Sequence, residues 1–157
     1  MAIRNIVKQG DPILGKVCRP VEKFDDRLAM LLDDMIETLH DSDGVGLAAP
    51  QVGILRRAVV IDTGDGPFEL INPEFVLKEG EQDAVEGCLS VPGQYGYTKR
   101  PEHVVIKAQN RKGEPIEVDG KGFLATVICH ETDHLNGVLF TSHAVRMLTP
   151  EELEKIK

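Results

Sequence analysis

Positive charge, cysteine and long apolar runs are all scarce in this chain of 157 residues. There are 18 Lys and Arg against 26 Asp and Glu, a formal net charge of −8. That balance disfavours general nucleic-acid binding and attraction to an anionic membrane, leaving room only for a local basic patch. The three cysteines, Cys18, Cys88 and Cys129, cannot all pair and are too few for a disulfide framework. They read as reduced thiols of a cytoplasmic protein. No run approaches the roughly 18 apolar residues of a membrane span. The stretch from Met1 to Lys8 holds no apolar segment long enough for a signal peptide. Repeats, low-complexity blocks and linkers are missing too, and the 15 glycines and 9 prolines are scattered as turn punctuation. The length suits one domain, residues 1–157.

What is present is ordinary globular composition, 41% hydrophobic and 28% charged. Leu28, Leu31, Leu32, Met35, Ile36 and Leu39 recur at three- and four-residue spacing, which predicts a helix near 25–40. Asp25 or Asp26 caps its start, and Asp41-Ser42-Asp43-Gly44 ends it. The middle of the chain reads as short strands: 58–61, 68–71, 75–77, 84–89, 95–98, 103–108 and, last, 116–118. Asn72-Pro73 is the turn signal between two of them. A second helix fits 122–136, with Phe123, Val127, His130 and His134 in one stripe and Gly137 as its stop. Thr149, Pro150 and Glu152 form the capping box of a short C-terminal helix. The fold class expected is α+β: antiparallel sheets around the second helix, with one helix towards each end of the chain.

The second helix carries His130-Glu131-Thr132-Asp133-His134, an H-E-x-x-H segment. Residues i and i+4 stand one turn apart on one face, so two imidazoles there suit a single metal ion with Glu131 beside it. A pair of merely solvated histidines belongs on the polar face, yet these continue the apolar stripe of Phe123 and Val127. A catalytic site of this kind needs a third protein ligand. The extended metalloprotease pattern matches through Gly137 but ends on Phe140, which cannot ligate. Glu151, Glu152 and Glu154 read as caps and solvated charge. A thiolate or another histidine from upstream remains open, with Cys88 in Glu86-Gly87-Cys88-Leu89-Ser90 as one candidate. A third segment, Gly44-Val45-Gly46-Leu47-Ala48-Ala49-Pro50-Gln51, is dense in small residues. A ligand can approach its backbone closely, and Gln51 presents an amide donor. It lacks the Lys and Ser/Thr of a phosphate loop.

Together these three segments resemble the peptide deformylase family, marked by a GxGLAAxQ loop, an EGCLS strand and an HExDH helix in this order. The likeness runs from the N-terminus to about Val145. It implies that Cys88, His130 and His134 hold one divalent metal ion, with Fe(II) expected and Zn, Ni or Co as substitutes. It implies that Glu131 is the general acid/base. By the same resemblance Gln51 and the backbone N–H of Leu89 would hold the formyl oxygen as charge develops on it. Gly46 would contact the substrate backbone, while Val45, Phe123 and Val127 match positions that line the family's methionine pocket. The implied reaction is hydrolysis of the N-formyl group of N-formylmethionyl nascent peptides, releasing formate. The implied partners are those peptides and, transiently, the ribosome. The stretch Gly93 to Tyr97 departs from family members that carry a basic residue there to meet the peptide, and only a short tail follows Thr149.

Overall fold

The computed structural model describes residues 2–155; Met1, Ile156 and Lys157 of the expected domain lie outside the described residues. The first helix, α1, runs Asp26–Asp41. Asp25 caps it as expected, its carboxylate accepting from the Leu28 N–H at 3.1 Å. Among the described residues eight strands follow: β1 Gly46–Ala48, β2 Ala58–Ile61, β3 Phe68–Glu79, β4 Gln82–Cys88, β5 Val91–Arg100, β6 His103–Gln109, β7 Pro115–Lys121 and β8 Arg146–Met147. Helix α2 spans Phe123–Leu135 and helix α3 spans Pro150–Lys155. The α+β class holds, with antiparallel sheets and three helices.

One sheet has the order β1-β2-β3-β6-β7 and the other β4-β5-β8. Their strand pairs are all antiparallel. Strand β2 shows how the larger sheet is used. Its four residues are all buried, and side chains alternate between faces. Ala58 and Val60 join the apolar cluster under α1, with Leu32, Met35 and Leu39. Val59 and Ile61 join the cluster under α2, with Val127, Ile128 and Leu135. The larger sheet is thus covered by α1 on one face and α2 on the other, and an apolar run without polar alternation is the sequence such a strand needs.

Three expectations are corrected. Asn72-Pro73 is no turn between strands: β3 continues through it as a bulge, with the register shifting between Ile71 and Glu74. Asn72 adopts a positive φ of 52°, which Asn tolerates better than most residues. Its amide accepts from the Val21 N–H and donates to the Val21 carbonyl, at 2.8 and 2.9 Å. The residue that looked like a turn former pins the N-terminal segment to the sheet. Gly46–Ala48, read as part of a small-residue loop, is strand β1. Strand 116–118 is not the last, because β8 pairs with β5 after α2; two residues carry too little pattern to be seen.

Candidate metal and catalytic site

From Ala125 to Thr132 every residue of α2 is buried. One side faces the larger sheet; the other meets β4 and β5 through ions and imidazoles. Of the expected stripe, Val127, His130 and His134 are buried, at 4%, 7% and 1% exposure, while Phe123, on the first turn, is 58% exposed. Cys88 ends β4, and its Sγ lies 3.4 Å from His134 Nε2. The thiol and one nitrogen from each imidazole all lie within 4.8 Å of one another. Ordinary metal–sulfur and metal–nitrogen bonds in a tetrahedron place such donors about 3.5 Å apart. The donor set, one soft thiolate and two imidazoles, therefore fits a divalent transition metal in both size and chemistry. Cys18 and Cys129 are buried elsewhere in the apolar cluster, and burial pushes the Cys129 thiol up to about 11.

Around this trio lies a layer of charge that reading the sequence did not predict. Glu86, 4% exposed, accepts from His130 Nδ1 at 2.8 Å. It also accepts from Arg100 Nε and Nη2 at 2.6 and 2.8 Å and from the Thr98 hydroxyl. Arg100 Nη1 donates onward to Asp133 at 2.8 Å. Holding a proton on His130 Nδ1 leaves Nε2 as the donor nitrogen, the usual job of such a carboxylate. Burial alone raises the Glu86 carboxyl, but Arg100, His130 and Thr98 outweigh it and hold it at about 2. One signal was available for Glu86: it stands two residues before Cys88 on a strand. Thr98 and Arg100 gave none, because only the β4–β5 register brings them to Glu86's face.

Glu131 is fully buried beside His130, with Oε2 3.9 Å from His130 Nε2. Burial pushes its carboxyl up to about 7, despite the lowering influence of His130. Its Oε1 and the Nδ1 of His134 are buried without a hydrogen-bond partner among the described residues, an arrangement costly in an inert core and common at a working site. The two imidazoles sit 5.0 Å apart, centre to centre. Burial and the neighbouring His130 charge hold His134 down at about 3. Burial also works against the His130 cation, but Glu131, Cys88 and Glu86 raise it.

The third motif closes the site from the other side. The 3-10 turn Ala49–Val52 follows β1 and buries Gln51. The Gln51 amide oxygen accepts from the Ala48 N–H at 2.9 Å, which orients its NH2 group. That group lies 3.1 Å from Ser90 Oγ and 3.5 Å from Cys88 Sγ. Gly46 lies under Glu131: a Cβ there would sit 2.5 Å from Glu131 Oε2. Close approach, rather than a special φ, is what requires glycine. A cleft of about 630 Å³ opens over these groups, lined by Val45, Gly46, Gln51, Cys88, Leu89, Phe123, Val127, His130 and Glu131. Of the ten expected site residues, only His134 lies behind the cleft wall. The cleft runs between β1 and β4, each the outermost strand of its sheet.

Comparison with known proteins agrees. The family model for polypeptide deformylase matches residues 3–149. The peptide deformylase of Acetivibrio thermocellus is 56% identical over 155 residues, 99% of this chain and 91% of the relative. That of Caldanaerobacter subterraneus is 54% identical over 157 residues, 100% of this chain and 99% of the relative. Among solved structures, the Thermotoga maritima peptide deformylase superposes with a TM-score of 0.89 at 45% identity, covering 90% of this chain and 97% of that one. The Synechococcus elongatus peptide deformylase in complex with actinonin gives 0.87 at 38% identity, over 97% and 82%. With the three motifs converged on one thiol-and-imidazole site and the match running nearly end to end, the chain belongs to the peptide deformylase family.

Proposed function

We propose that Cys88, His130 and His134 hold one divalent metal ion, Fe(II) in the cell, with Zn, Ni or Co as substitutes. Around it the chain removes the N-formyl group from formylmethionyl nascent peptides. The observation that carries this reading is the convergence of the three donors within 4.8 Å, beside the buried carboxyl of Glu131. Such an ion supplies Lewis acidity, lowering the pKa of water and polarising a carbonyl. Glu131 takes the proton from the attacking water and delivers it to the leaving amine, a role its raised carboxyl suits. The Gln51 amide and the Leu89 N–H stabilise the developing oxyanion, a contribution of about 3–4 kcal/mol per donor. In this role the Gln51 NH2, which donates to Ser90 Oγ and lies 3.5 Å from Cys88 Sγ, turns the N–H on the Cys88 side to donate to the substrate oxygen.

The substrate backbone lies extended between the free edges of β1 and β4, adding a strand to both. Gly46 contacts it there, and the methionine side chain enters between Val45, Phe123 and Val127. The burial of α2 supports treating the HExxH helix as the centre around which both sheets are arranged. Residues 1–157 act as one catalytic domain, consistent with the nearly end-to-end family match. Nascent formylated peptides place the protein in the cytoplasm, with a transient ribosome contact. No described helix is long and apolar enough to cross a membrane.

The test is formate release by Fe(II)-loaded protein, kept anaerobic, from formyl-Met-Ala but not acetyl-Met-Ala. Glu131→Ala keeps its metal and loses turnover, and Cys88→Ser binds metal more weakly. Internal peptide cleavage, or turnover retained without Glu131, overturns the reading.

A further inference from the structure

Residues 2–8 belong to no helix or strand, yet this segment is tied down at both ends. Asp34 and Thr38 stand one turn apart on α1 and are both buried, polar groups that a helix packed only for its apolar face leaves in water. Asp34 accepts from the Ala2 N–H at 2.7 Å and from Arg4 Nε and Nη2, both at 2.9 Å. The Thr38 hydroxyl accepts from the Arg4 N–H at 2.9 Å. From this anchor the chain runs to the cleft, where Ile6 and Lys8 form part of the lining. There the Val7 N–H donates to the Gln51 carbonyl at 2.7 Å, and the Gln9 N–H donates to the Ser90 carbonyl at 2.8 Å. Lys8 Nζ reaches the Leu89 carbonyl at 3.4 Å.

These contacts fall on the segments that carry the two proposed oxyanion donors. Gln51 follows β1 and Leu89 follows β4, which belong to different sheets, so no strand pairing sets their separation. The Gln51 NH2 crosses directly to Ser90 Oγ, but the same group has to serve substrate. The N-terminal segment crosses with backbone bonds instead. We infer that Val7 and Gln9 are positioning residues: their N–H groups hold the Gln51 turn and the Leu89–Ser90 peptide at a fixed separation, with Arg4 and Asp34 as the anchor on α1. The inference rests on the oxyanion role proposed above for Gln51 and Leu89. Its effect belongs to the transition state, because a donor slightly out of place still lets substrate bind and fails where charge develops. Among the described residues no hydrogen bond joins the segment to Cys88, His130 or His134, so metal binding does not depend on it.

Gln9→Pro, assayed as Ni(II)-loaded protein on formyl-Met-Ala, tests this. The Asp11 N–H returns to the Lys8 carbonyl at 3.2 Å and Gly10 has a φ of 105°, a turn of the type that favours proline at its second residue, the place of Gln9. The substitution therefore deletes the N–H and keeps the turn. The kcat is expected to fall by about tenfold, less than the roughly 10²–10³ of removing a donor outright. KM and the Ni(II) affinity, read by competition with a chelator, stay within about twofold, as for an interaction made only in the transition state. Hydrogen exchange of the stretch 88–91 quickens as its hold loosens. Gln9→Ala, with the N–H in place, retains most of the wild-type kcat. Should Gln9→Pro fail to fold, Arg4→Ala carries the test: with the anchor on α1 loosened, kcat falls by about threefold at the same KM. An unmoved kcat, or a KM or Ni(II) affinity that weakens in step with kcat, overturns the inference. Wild-type protein that releases no formate overturns the deformylase reading instead.

Discussion

Glu86→Gln is the most informative single change, because the carboxylate binds three side chains at once. Its Oε1 serves His130 Nδ1 and Arg100 Nη2; its Oε2 serves Arg100 Nε and the Thr98 hydroxyl. A glutamine of the same shape offers one acceptor and one donor. Whichever way the amide turns, its NH2 faces an Arg100 N–H. The less costly choice keeps the oxygen towards His130 and lets the Thr98 hydroxyl rotate to accept. Arg100, with a side chain 8% exposed, is then left with Asp133 as its one anion. Removing one partner of a buried pair typically costs about 3–5 kcal/mol, and the surviving Asp133 bond places this case near the lower end. The neutral amide also weakens the hold on the His130 ring. Loss of such an outer carboxylate typically weakens metal binding by about 10–100-fold. Chemical unfolding of the metal-free protein reads the first quantity, and competition with a chelator for Ni(II) reads the second. Unfolding unchanged within about 0.5 kcal/mol, together with unchanged affinity, would refute the claim that Glu86 neutralises Arg100 and orients the His130 ring.

Three further outcomes follow from particular contacts. Gly46→Ala drives a methyl into the Glu131 carboxylate, so turnover falls by about 100-fold or more while metal content by mass spectrometry stays the same. Gly137→Ala places a Cβ 2.5 Å from the Gly15 carbonyl at a φ of +75°, and equilibrium unfolding should show a loss of at least about 2 kcal/mol. His103 bridges strands by bonding Glu79 on β3 and Asp119 on β7, which raises its pKa above the ordinary 6.5. The stability it adds is present below 6.5 and is lost as pH rises through the raised value. An NMR titration should show the midpoint falling when Glu79→Gln and Asp119→Asn are combined; an unmoved midpoint dismisses the bridge.

Local order alone determines a good part of this protein. The three-and-four spacing of α1, its Asp25 cap and the Thr149–Glu152 box act within a few residues, so composition and spacing suffice to place them. The same holds for His130, Glu131 and His134, which the helix itself sets one turn apart. The resemblance of the three motifs reached further, to Cys88, Gln51 and Gly46, because a family's motifs carry tertiary information that spacing does not. The remaining features are non-local. Asn72 looks like a turn until Val21 supplies the groups its amide binds. Gly46 explains itself only when Glu131 is seen lying on it. Arg100 is an ordinary strand-end charge in the sequence, and becomes the counterion of Glu86 through a strand register. Register and the docking of one sheet on one helix are decided by packing over the whole chain, and that packing is what turns one thiol of three into the partner of two imidazoles.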